Sequence, residues 1–258
     1  MHADSVQLKA LTERLPHPEI VVDQVDNPLH SGCGVGFGNQ KLLEFRTIAR
    51  VVCEILPTAR KLHEESNYGE SCVEQSTVSM KDLDNLKTTV GFTEEDEQNL
   101  RLAGDVLADQ TKKLVEHWRS GIIAGIPNLA KHSRTPEGEA IPDYAEKSGL
   151  RFQQWILDTC FRPYDQDWIN YQQEIALRHT AVKKNKVDQV NSTPYVPLRD
   201  VLGFIVVMNE TIKPYLAAKG HSPDQVERMH RSWCKSMQLQ AALLARPYAT
   251  TTQAPDEW

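Results

Sequence analysis

No run of 18 apolar residues occurs in this chain, so no segment is expected to span a membrane. The first residues, Met1-His-Ala-Asp-Ser-Val-Gln7, lack the basic and then apolar pattern of a secretory signal. Five cysteines (Cys33, Cys53, Cys72, Cys160, Cys234) form no CxxC pair, which argues against a zinc site or a redox dithiol. An odd number of scattered thiols and no signal fit a reducing, cytoplasmic setting. Excess positive charge is missing as well. The formal net charge is −6, so nothing electrostatic points to nucleic acid. Glycines 32, 34, 36 and 38 alternate strictly, giving neither GxGxxG nor GK[ST], and Ser31–Asn39 reads as a loop with no phosphate cradle.

What the chain does have is helical periodicity. Residues 1–78 read as a partly helical N-terminal extension, with short apolar sets at 5–15 and 40–56 and a polar linker over 66–78. From Ser79 the pattern is all-α. Met80–Val90 turns Leu83, Leu86 and Val90 inward. A long helix starts at Thr93 with an acidic first turn, and its stripe runs through Leu100, Ala103, Leu107, Leu114 and Trp118. Arg134–Pro142 is turn chemistry. A helix over 143–161 ends at Arg162-Pro163, and Asp165 caps the next one. That helix places Trp168, Gln172, Ile175 and His179 on one inner stripe at i, i+4, i+7 and i+11. The basic residues after it, Lys183, Lys184 and Lys186, read as a solvated loop. Val201, Phe204, Ile205 and Met208 mark a further helix, and Ser222-Pro223-Asp224 starts the last. Residues 79–250 form the expected domain, with a flexible tail at 251–258.

A histidine at an inner helix end suits a haem iron, with one ring nitrogen on the metal and the other on a backbone carbonyl. An ordinary core or surface histidine has the same spacing. Longer strings bear on the choice: Arg151-Phe-Gln-Gln-Trp-Ile-Leu-Asp158, Tyr164-Asp-Gln-Asp-Trp168, Tyr171-Gln-Gln-Glu-Ile-Ala-Leu-Arg-His179 and Lys213-Pro-Tyr-Leu-Ala-Ala-Lys-Gly-His-Ser-Pro223. On these the chain resembles the protoglobins over about residues 80–248. The resemblance implies a globin-like helical sandwich with an additional N-terminal helix, the place of Met80–Val90. It further implies haem b, with His179 as the proximal iron ligand. Phe152, Phe204 and Met208 are then apolar pocket residues, and Trp118 matches a distal-helix tryptophan.

The next position departs from the family. A distal tyrosine is expected after that tryptophan, and this chain has Arg119, followed by Ser120 and one extra residue before Ile126-Pro127. Three fates are open to Arg119: turning into the pocket as a donor, projecting to solvent, or pairing with a haem propionate. Arg178 and Lys183 are further candidates for the propionates. The function implied is binding or sensing of a diatomic gas (O₂, CO or NO) at an open axial position. A haem enzyme acting on NO, peroxide or an organic substrate is the alternative, and a haem-less interaction module a third. Ten residues follow Tyr248, too few for the output modules of sensor relatives. Association into a homodimer stays open.

Overall fold

The computed structural model describes residues 75–249, which fall within one compact unit. The readings of residues 1–74 and of the tail at 251–258 lie outside the described residues. Among the described residues ten α-helices carry the fold: α1 (Met80–Val90), α2 (Glu94–Leu107), α3 (Thr111–Glu116), α4 (Pro127–Ala130), α5 (Pro142–Phe161), α6 (Gln166–His179), α7 (Lys184–Val187), α8 (Leu198–Thr211), α9 (Lys213–Leu216) and α10 (Pro223–Ala245). Among the described residues the one extended pairing is an isolated bridge between Arg134 and Ala140, where the chain turns through Gly138 at φ +91°.

The helix starts follow local chemistry. Ser79, Thr93 and Ser222 each close a reciprocal capping box, with Asp82, Asp96 and Gln225 respectively. Asp165 caps α6 by accepting from the Trp168 amide. Helix α10 is the spine, packing on α2, α6 and α8, while α5 lies across α2. The core between them holds Leu100, Ile156, Trp168, Met229 and Trp233, all almost fully buried. Gly104 lets α2 and α5 approach closely: a β-carbon there would lie 2.5 Å from the Phe161 ring and 2.8 Å from Cys160 Cβ.

Three features differ from the sequence expectation. The helix begun at Thr93 does not run on to Trp118, because it breaks over residues 108–110. There the Gln110 amide turns to the Leu107 carbonyl, and the Gln110 side chain takes the Val106 carbonyl at 2.8 Å. The next turns supply α3 and then a π-helical segment, His117–Ile122. A π turn holds one residue more than an α turn, so the additional residue expected here fits it. The described end of the linker, residues 75–78, is packed: Val78 is buried, Ser76 N–H donates to Asn170, and Gln166 donates to the Val78 carbonyl.

Candidate functional site

A largely apolar cavity of about 290 Å³ opens between α5, α6, α8 and α10. Helix α6 brings His179 to it at its last residue. The ring Nδ1 lies 2.8 Å from the Ile175 carbonyl. A carbonyl only accepts, so Nδ1 carries the proton and Nε2 keeps its lone pair. Burial lowers the imidazole pKa below the ordinary histidine value, which favours this neutral form. The helix end is itself fastened: Val196 N–H donates to the His179 carbonyl at 2.8 Å, and Tyr248 Oη donates to the Val196 carbonyl at 2.7 Å.

Aromatic and aliphatic side chains form the other walls. Phe152 (α5) and Phe204 (α8) line the cavity with ring centroids 6.4 Å apart, and Met208 sits one turn beyond Phe204. Trp118 does not line the cavity. It is fully buried behind the two phenylalanines, 5.2 Å from Phe152 and edge-on to Phe204, with Nε1 donating to Thr211 Oγ1. The i, i+4 spacing of Phe204 and Met208 on α8, and the packing of Phe152 on Trp118 of the π segment, bring these four together from three distant stretches of sequence.

Arg119 lines the cavity. Its guanidinium donates to the Ala145 carbonyl at 2.7 Å and to Ser148 Oγ at 2.9 Å, both on α5. Of the three fates read from the sequence, projection to solvent is excluded. Burial pushes its pKa down. Ser120 is exposed, and His117 points elsewhere, within 3.1 Å of Tyr215 Oη.

One end of the cavity is polar, and most of it escapes the sequence reading. Arg151 makes a two-pronged pair with Asp188, at 3.0 and 2.6 Å. His132 bridges Thr193 Oγ1 (2.8 Å) and Asp200 (3.2 Å), and burial lowers its pKa against the pull of Asp200. Lys184 is a correction: it is no solvated loop residue but a buried one on α7, with Nζ donating to the His132 carbonyl at 3.0 Å. Desolvation brings its pKa down to about 8. Tyr144 lies beside it, the ammonium 5.8 Å from the ring centroid, and burial raises the phenol pKa. Arg178 and Lys183, the further candidates for the propionates, share Glu174 at 2.8 and 2.6 Å.

Among the described residues no cluster of three or more histidine, cysteine or acidic side chains could hold a metal ion by itself. A metal at His179 would need its remaining ligands from a cofactor, and a flat apolar ring suits these walls. No described helix is long and apolar enough to cross a membrane. A search of the curated proteins found no match. The family model described as Protoglobin matches residues 79–254, which span α1 to α10 and every cavity residue named above. The chain therefore belongs to the protoglobin family, a family of haem-binding globins.

Proposed function

We propose that this protein binds haem b through His179 Nε2 and takes a diatomic gas at the opposite axial position. The observation that carries the reading is the His179 geometry: a neutral ring, its Nδ1 proton held by the Ile175 carbonyl and its Nε2 free at the wall of an apolar cavity. The bound group would supply an iron with one coordination position open to O₂, CO or NO. The chain's own residues do the rest. Ile175 fixes the tautomer and the ring plane. Phe152, Phe204 and Met208 line the cavity and would exclude water from a ring held there. Arg119, on the π segment and tied to α5 through the Ala145 carbonyl and Ser148, sets a guanidinium in the cavity wall. Gas binding or sensing in the cytoplasm is the role this supports best.

Absorption spectra of the reduced, haem-loaded protein under argon, CO, NO and O₂ test the reading. A band shift with CO and with NO is expected, as is a five-coordinate spectrum under argon. A six-coordinate spectrum under argon, unmoved by CO, would mean that no axial position is open and would sink the gas-binding reading.

A further inference from the structure

Two cations in the cavity wall have no acidic partner. Lys184 is only 4% exposed, and its ammonium meets the His132 carbonyl and the face of Tyr144 but no carboxylate. Arg119 spends its hydrogen bonds on a carbonyl and a hydroxyl, both neutral. The other charged groups lining the cavity are engaged: Arg151 pairs with Asp188, Arg178 with Glu174, and Asp200 lies against His132 and Arg199. Lys184 and Arg119 both lie beside Tyr144, so they belong to the same polar end. Burying a cation against neutral acceptors alone is costly, and structures rarely retain it without a use.

An otherwise apolar cavity with two uncompensated cations at one end matches a flat apolar ligand bearing two carboxylates on one edge. We infer that Lys184 and Arg119 are carboxylate anchors, each receiving one carboxylate of a dicarboxylate tetrapyrrole. The inference rests on the haem reading above and names which of the chain's cations hold the edge of the ring. It prefers them to the sequence candidates Arg178 and Lys183, which Glu174 already engages.

The test uses the full chain freed of haem, titrated by fluorescence with metal-free protoporphyrin IX and with its dimethyl ester. Omitting iron removes the His179 bond from the comparison. Wild type should bind the diacid more tightly than the diester by about tenfold or more, the scale of a hydrogen bond to a charged group. Lys184→Met and Arg119→Leu should each shrink that preference severalfold. Equal affinity of wild type for the two rings would overturn the inference. So would variants that weaken both rings alike, because a purely structural lysine lowers both affinities and leaves their ratio intact. Hemin bound through His179 without a diacid preference would overturn this inference alone. Failure to bind any of these rings would overturn the haem reading with it.

Discussion

At the scale of single residues, environment decides what each charge does. Lys183, Lys184 and Lys186 stand almost side by side in sequence. Lys183 pairs with Glu174, Lys186 is exposed, and Lys184 is buried on a carbonyl. The burial of Lys184 has a signed consequence. Its pKa is about 8 in the folded protein against an ordinary 10.5, so between those values the unfolded chain holds more of the proton. Stability then rises with pH across that window, and the penalty of charging Lys184 is fully present below about 8. In denaturant titrations of haem-free protein, wild type should gain stability relative to Lys184→Met from pH 8 to pH 10. A difference that stays flat or falls would contradict the burial of a charged Lys184. His179 shows the same logic. Helical phase and family likeness mark it as a candidate iron ligand, whereas its tautomer follows from the 2.8 Å contact with the Ile175 carbonyl, which no sequence pattern encodes.

At the scale of elements, the sequence is most informative where chemistry is local. The capping residues Thr93, Asp165 and Ser222 mark helix starts within a residue, and Arg162-Pro163 and Arg246-Pro247 mark ends. The break at 108–110 is not legible this way. No glycine or proline announces it, and the stripe of Leu107, Leu114 and Trp118 keeps a helical spacing across it. A side chain, Gln110, replaces the backbone donor there. The π segment is legible only as an extra residue against relatives. The crossing of α2 and α5 depends on Gly104, with Phe161 and Cys160 pressed against it. Gly104→Ala gains intrinsic helix propensity but has no room for its methyl group. We expect a net loss of about 1–3 kcal/mol in chemical denaturation. An unchanged or raised midpoint would show that the two helices can separate freely.

At the scale of the whole molecule, the cavity gathers residues that are far apart in the chain. The cavity residues Phe152, Phe204 and Met208, and Trp118 packed behind the two phenylalanines, are readable because each sits on a helix face with its own periodicity. The polar end is not, since its pairs join residues 37 (Arg151 and Asp188) and 68 (His132 and Asp200) positions apart, and no local pattern encodes them. Those pairs tie α5 to the segment after α7, and the segment after α4 to α8. The fold thus sets an imidazole nitrogen against an apolar cavity with a charged end, the arrangement on which the proposed haem site rests.

The most direct test of that claim is a hemin titration of wild type and His179→Ala, followed by absorption with and without added imidazole. The account predicts a stoichiometric Soret band for wild type. The variant should give a weak or altered band, returned towards the wild-type form by imidazole entering the vacated space. A variant whose spectrum matches wild type without imidazole would contradict the account, because the iron would then be held by some other group.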